Sequence, residues 1–338
     1  MVAIEVNGLT KDYGNVRAIE SLSFAVEDGE VFGFLGPNGA GKSTTIRTLM
    51  GFQSPTDGGA TVLGHDITDR SAMIEAKRRI GYVPAEMGFD EGVTGKRFLR
   101  YQASLKGDTR SEELLELFDP PMDREIGEYS TGNKRKLAVV LAFMHDPDLV
   151  IMDEPTSGLD PLMQERFYEF IRDEQAKGKT FFFSSHILSE VQKICDRVGV
   201  IRNGHLVELE DVETLLERGG KRVSVHVAES VEADAFAIDG AHDVSVTGDE
   251  QPAQPTAADG SGDAQSTESE DASSGGRDGT SVSFTYTGDY NALLDHLLGY
   301  DVLDLDIEDA PLEDVFMRFY GEVDPDRVSG TVGGTTDV

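Results

Sequence analysis

The sequence predicts an α/β chain with a mixed central sheet, a small antiparallel sheet beside it and a helical insertion, followed by a second, smaller α+β unit. Three observations lead there. A short apolar run, Glu30 to Leu35, enters the glycine-rich stretch Gly36-Pro37-Asn38-Gly39-Ala40-Gly41-Lys42-Ser43-Thr44, and a helical pattern leaves it through Met50. Two more apolar runs, Asp148 to Asp153 and Lys179 to Ser185, end in polar side chains, the pattern of strands buried on both faces. After Gly219-Gly220 the chain changes to strict alternation, at Arg222 to Val227 and again at Ser281 to Tyr286.

The elements follow in order. Residues 3–9 and Leu22 to Val26 alternate and read as two short edge strands, with a turn at Thr10 to Gly14 between them. Ala60 to Leu63 is a strand inside a turn-rich segment, Ser71 to Ile80 is helical, and Tyr82-Val83-Pro84 is a strand stopped by its proline. Thr94 to Lys106 and Ser111 to Phe118 carry helical apolar spacing, and Pro120-Pro121 ends the second. Lys136 to Phe143 is a strongly apolar helix, and Pro161 to Lys177 is a helix with proline in its first turn and Gly178 after it. Ser189 to Val198 is helical, and a hairpin turns at Asn203-Gly204. Beyond residue 220, helices are expected at Asp289 to Leu298 and Pro311 to Tyr320, with a strand at Val302 to Ile307. Residues 247–280 contain no Val, Ile, Leu, Met or aromatic side chain, so this segment is expected to be a disordered acidic loop. The tail, 323–338, is equally polar.

Composition narrows the function. The chain has 338 residues, with 63 acidic against 30 basic side chains and a formal net charge of −33. That charge repels phosphate backbones and argues against nucleic acid as a partner. It also points to a high-salt cytoplasm, against the plainer alternative of an ordinary acidic protein. Cys195 is the one cysteine, so no internal disulfide can form. The N-terminus lacks a basic-then-apolar signal pattern. The longest apolar run, Leu137 to Met144, falls short of the roughly 18 residues a membrane helix needs.

The glycine-rich stretch fits G-x-x-x-x-G-K-[ST], the phosphate-binding loop of nucleotide triphosphatases, in its strand–loop–helix context. Glycines let successive N–H groups curl toward one concavity, and the helix N-terminus adds partial positive charge. Lys42 reaches β- and γ-phosphates, and Ser43 can ligate Mg²⁺. Asp153, at the end of its strand, can hold Mg²⁺ directly or through water, Glu154 can polarise an attacking water, and His186 can hydrogen-bond the γ-phosphate. Taken singly, Asp153-Glu154 could be a helix-capping pair and Ser184-Ser185-His186 a satisfied loop; behind the phosphate loop they form one set. Tyr13 leaves two readings, a ring stacked on a nucleotide base or a turn tyrosine packed on the sheet.

Over residues 3–220 the chain resembles the ATP-binding subunit of an ABC transporter, a P-loop NTPase cassette with separate antiparallel and helical subdomains. Asp153 to Asp160 matches the family's Walker B and D-loop run, Ser185-His186 its switch histidine, and Ser130 to Lys134 stands in the place of its signature. Tyr13 stands where the family's adenine-stacking aromatic stands. The signature keeps Ser130 and Gly132 but has Tyr129, Thr131 and Asn133 at its other letters, and the Q-loop glutamine is replaced by Ala85, with Glu86 next to it. The resemblance implies ATP and Mg²⁺, and a head-to-tail pair of cassettes in which Ser130 and Gly132 close the partner's site. It also implies a separate membrane permease and a place on the inner face of the membrane. A degenerate signature, and the Pro311 to Phe316 run after the cassette, resemble exporters. The alternative is an ABC-type ATPase that does not act in transport. The expected boundaries are a cassette at 1–220 with its helical insertion at about 82–145, and an accessory domain at 221–322.

Overall fold

The N-terminal alternation builds a hairpin much longer than the two short strands expected. β1 (Val2–Tyr13) pairs antiparallel with β2 (Val16–Glu27), burying Ile4, Val6 and Leu9 against Leu22, Phe24 and Val26. The register shifts between Val6 and Leu9, where Gly8 takes a φ of +61°. Such irregularities break the two-residue period and hide the strand's length. The computed structural model describes residues 1–248 and 279–309, and the chain divides into two units, Met1–Thr214 and Leu215–Val338.

In the first unit, β3 (Val31–Leu35) is buried at every position and leads through the glycine-rich loop to α1 (Lys42–Leu49). β4 (Asp57–Val62) and β5 (His65–Asp66) complete an antiparallel sheet in the order β2-β1-β4-β5. α2 (Arg70–Arg78) is capped by Asp69, and Ile80 begins β6 (Ile80–Val83) rather than ending the helix. The helical insertion contains α3 (Gly95–Lys106), capped by Thr94, then α4 (Ser111–Phe118) and α5 (Thr131–Phe143). α5 starts five positions before the expected Lys136, because the Ser130 side chain accepts from the Asn133 N–H and caps it.

β7 (Leu149–Asp153), α6 (Pro161–Ala176), β8 (Thr180–Ser185), α7 (Leu188–Ile194), β9 (Arg197–Arg202) and β10 (His205–Asp211) follow. The helix expected to reach Val198 stops at Ile194. Asp196 is bound to β3 through its carboxylate (2.8 Å to Val31 N) and its own N–H (2.9 Å to Val31 O), which draws Val198 into a strand. Asn203 (φ +48°) and Gly204 (φ +82°) make the tight turn between β9 and β10, as the Asn-Gly pair predicts.

The central sheet runs β10-β9-β3-β8-β7-β6, parallel except for β10. β3, β7 and β8 are adjacent and parallel, so their C-terminal ends open at the same edge of the sheet, where α/β proteins bind ligands. Phe32, Phe34 and Phe182 from this sheet pack on Phe24 of β2, at centroid separations of 5.4 to 6.1 Å, and join the two sheets into one core.

α8 (Val212–Gly219) carries the chain into the second unit. There β11 (Lys221–Val227), β12 (Ala241–Gly248), β13 (Thr280–Tyr286), α9 (Tyr290–Leu297) and β14 (Val302–Asp309) give an antiparallel sheet in the order β12-β13-β11-β14. The alternating Val223, Val225 and Val227 face a core with Phe236, Phe284, Leu293 and Leu297. β12 has no counterpart in the sequence reading. The expected acidic loop lies outside the described residues except at its ends, where Thr247 and Gly248 belong to β12 and Thr280 to β13. The helix expected at 311–320 and the polar tail lie outside them entirely.

One buried group gives the first unit a pH dependence. His145, just after α5, has Nε2 at 3.2 Å from Ile80 O, while its buried Nδ1 has no hydrogen-bond partner. Burial, and then the charge of Lys106, push its pKa down to about 4. The unfolded chain therefore takes up a proton here near pH 6.5 that the folded chain refuses until about pH 4. Stability should fall as pH drops through that window. Urea titrations across it should show a shallower loss for His145→Gln than for the wild type.

Candidate active site

Residues Gly36 to Thr44 curl at the end of β3. Gly36 N donates to Ser185 O at 3.2 Å, and Gly204 N donates to Ala40 O at 3.0 Å, so β8 and the β9–β10 turn both anchor the loop. Two glycines are required by space. A Cβ on Gly36 would lie 2.3 Å from Ile201 O, and one on Gly41, whose φ is +115°, would lie 2.7 Å from Ala18 O. The loop encloses a cavity of about 170 Å³ lined by Asn38, Gly39, Gly41, Lys42, Ser43 and Thr44, with Ala18 and Glu154. Gly36, Pro37 and Ala40 do not line it.

Lys42 is only 5% exposed. Its ammonium donates to Gly36 O at 2.7 Å and Pro37 O at 3.2 Å, and lies 3.5 Å from Glu154 Oε1. The same carboxylate oxygen is 3.1 Å from His186 Nδ1. Glu154 itself has φ +49°, an unusual conformation for a non-glycine residue, and its N–H donates to Ser184 O at 3.1 Å. Strain of this kind persists where the surroundings impose it, commonly at functional sites. Asp153, buried at the end of β7, accepts from Ser184 Oγ at 2.5 Å. Lys42, Glu154 and His186 thus meet side by side, with Asp153 next in the chain.

The other expected residues lie apart from this cluster. Tyr13 is half-exposed at the end of β1, and its hydroxyl donates to Gln53 Oε1. Gln53 Nε2 in turn donates to Thr44 O at 3.0 Å and Thr48 Oγ1 at 2.8 Å, which ties the ring to α1. Ser130 and Gly132 do not line their own chain's cavity. Ser130 is exposed at the start of α5, and Asp160 caps α6 by accepting from Met163 N at 3.0 Å. Glu86 is exposed, and Ala85 offers the site no side-chain oxygen.

Sequence reasoning did not single out Gln53, Ser184, Arg135 or Glu190. Glu190 is 5% exposed and accepts from Ser185 Oγ at 2.6 Å, from Tyr168 OH at 3.2 Å and from Thr156 Oγ1. It therefore joins the strand before His186 to the loop after Glu154. The available signal was a lone carboxylate between Leu188 and Val191, four positions after His186.

A curled loop of amides, a buried lysine and a carboxylate–histidine pair at the ends of parallel strands define a phosphate-loop nucleotide triphosphatase. The ABC transporter family pattern matches residues 19–157. The Nod factor export ATP-binding protein I of Rhizobium meliloti (strain 1021) is 36% identical over 258 residues, covering 73% of this chain and 76% of that protein. The bacitracin transport ATP-binding protein BcrA of Bacillus licheniformis is 34% identical over 236 residues, covering 68% of this chain and 76% of its own. A solved structure described as the ATP-binding subunit of an ABC transporter superposes with a TM-score of 0.57 at 30% identity, covering 63% of this chain and 91% of its own. The chain belongs to the ATP-binding proteins of ABC transporters, and its reaction is the hydrolysis of ATP.

Removing the buried ammonium would leave Glu154 and two loop carbonyls without their cation. Lys42→Ala should weaken ATP binding at least about thirtyfold, the usual cost of truncating one member of a buried charged pair. Calorimetric titration with ATP checks this, with circular dichroism as a control for folding.

Proposed function

We propose that this chain is the ATP-hydrolysing motor of an export system, working on the inner face of a membrane with a separate permease. The observation that carries the reading is the Lys42–Glu154–His186 cluster beneath the phosphate loop, in a chain whose relatives are named for export and transport. Among the described residues no helix is long and apolar enough to cross a membrane, so a pore would come from another polypeptide.

ATP would lie with its phosphates along Asn38 to Thr44 and Lys42 between the β- and γ-phosphates. The base would stack on Tyr13, held in place by Gln53. Mg²⁺ fits the donor set: the Ser43 hydroxyl at the start of α1 and the Asp153 carboxylate, whose Oδ1 is already oriented by Ser184, with phosphate oxygens completing the shell. The ion would neutralise phosphate charge. Glu154 would take a proton from the attacking water, and His186, within hydrogen-bond reach of Glu154, would hold the γ-phosphate.

The second half of the site would come from another cassette. Ser130 is exposed, and the first N–H groups of α5 behind it are a suitable anion donor set. A γ-phosphate that gains those donors only in the paired state favours pairing, and hydrolysis removes the preference. The permease would seat on a groove of about 240 Å³ between β6 and the helical insertion, lined by Tyr82, Pro84, Met87, Phe89, Phe98 and Leu141 among others. Tyr101 and Leu105, exposed one turn apart on α3, widen its apolar surface.

Glu154→Gln should retain ATP binding while turnover drops about a hundredfold or more, the usual worth of a positioned base, and should accumulate ATP-bound dimers. Phosphate-release assays and size-exclusion chromatography measure both, and unchanged turnover would remove Glu154 from the role. The acidic surface supports a second reading, adaptation to high salt. Its melting temperature should rise between low and molar KCl, as counter-ions relieve self-repulsion.

A further inference from the structure

Arg135 is a buried cation for which the reaction just described has no use. It lies on α5, five residues after Ser130, and is 2% exposed. Its partners are main-chain carbonyls rather than carboxylates. One terminal nitrogen donates to Pro84 O at 2.7 Å and the other to Ala85 O at 3.0 Å, while Nε donates to Ser157 O at 3.4 Å. Pro84-Ala85 is the turn after β6 that borders the proposed permease groove. Ser157 is in the loop between Glu154 and Asp160.

A second contact joins α5 to the Ser157 loop. α5 and the Ser157–Gly158 loop approach backbone to backbone, so that a Cβ on Gly132 would lie 2.6 Å from Gly158 O. Burial works against the charge on Arg135, while the nearby carboxylates of Asp153 and Glu154 support it. Where the family has a glutamine side chain, this chain has Ala85, whose carbonyl is held by the guanidinium.

We propose that Arg135 is a positioning residue that makes the start of α5, the Pro84–Ala85 turn and the Ser157–Gly158 loop move as one body. This rests on the paired-cassette reading above. In such a pair the start of α5 serves the partner's nucleotide, whereas the Ser157–Gly158 loop follows this chain's own Glu154. Arg135 therefore links the occupancy of one site to the geometry of the other, and presents both to the permease surface. Only a planar fork with donors on three nitrogens spans three carbonyls this way. A lysine ammonium concentrates its donors on one atom and cannot.

The test compares full-length wild type, Arg135→Lys and Arg135→Gln in steady-state ATP hydrolysis, ADP titration and thermal melting. ATP-driven dimerisation is followed in the otherwise unaltered Glu154→Gln protein. For Arg135→Gln, kcat should fall about tenfold or more and the rate should lose its sigmoidal dependence on ATP, while the Kd for ADP stays within about twofold. Arg135→Lys, which keeps the charge and so guards against simple misfolding, should bind ADP as the wild type does and fall between the other two in kcat and Hill coefficient. Wild-type kcat and Hill coefficient in both variants would overturn the inference. So would losses that merely track a fall in ADP affinity and melting temperature. If Glu154→Gln forms no ATP-driven dimer and wild-type turnover is not cooperative, the paired-cassette reading fails, and the inference falls with it.

Discussion

The Lys42 ammonium is held in a nearly solvent-free position by two carbonyls of its own loop and one carboxylate. A charge with so little water around it must be met by fixed dipoles, and every partner that meets it lies at the C-terminal end of a parallel strand. Gly36 and Pro37 follow β3, Glu154 follows β7, and His186, which shares the Glu154 oxygen, follows β8. The register of three adjacent strands therefore sets the distances in the cluster. The phenylalanine layer packs beneath two of these strands, β3 and β8, and joins them to β2.

A weaker kind of polar tie surrounds this cluster. Glu190, Gln53 and Arg135 each connect segments that are remote in sequence. Glu190 connects the β8 end to the loop after β7, Gln53 connects the end of β1 to α1, and Arg135 connects α5 to two turns. All three order segments around the cluster, and for the buried Glu190 and Arg135 the value of those hydrogen bonds grows in a low-dielectric interior.

This division explains what could be read before the fold was known. The phosphate loop, Asp153-Glu154 and Ser185-His186 were legible because each is a short run whose chemistry depends on neighbours in the chain. The buried strands were legible from continuous apolar runs, and the β9–β10 turn from Asn203-Gly204. The long first hairpin was not, because the irregularity at Gly8 interrupts its alternation. The end of α7 was missed because the tie between Asp196 and Val31 joins positions 165 residues apart. Glu190 and Arg135 stayed hidden for the same reason: a carboxylate or a guanidinium in a helix looks like a solvated face until its distant partners are in place. The second unit was legible as an α+β sheet from Arg222 to Val227 and Ser281 to Tyr286, but its edge strand β12 was not, since the register shift between His242 and Ser245, where Asp243 takes a φ of +54°, breaks its alternation.

At the contact between Gly132 and Gly158 main chain meets main chain, with the Thr131 side chain beside it. Side chains at a joint can rotate and absorb small displacements. Peptide planes cannot, so this joint has no slack. A shift of a few tenths of an ångström at one glycine must appear at the other, as tightly meshed gear teeth pass on every increment of rotation. Thr131 borders the same contact, since a Cβ on Gly158 would lie 2.9 Å from its Cγ2, while Asn133 gives its N–H to the Ser130 cap. The absence of a side chain at position 132 is therefore what lets the two segments close to this distance.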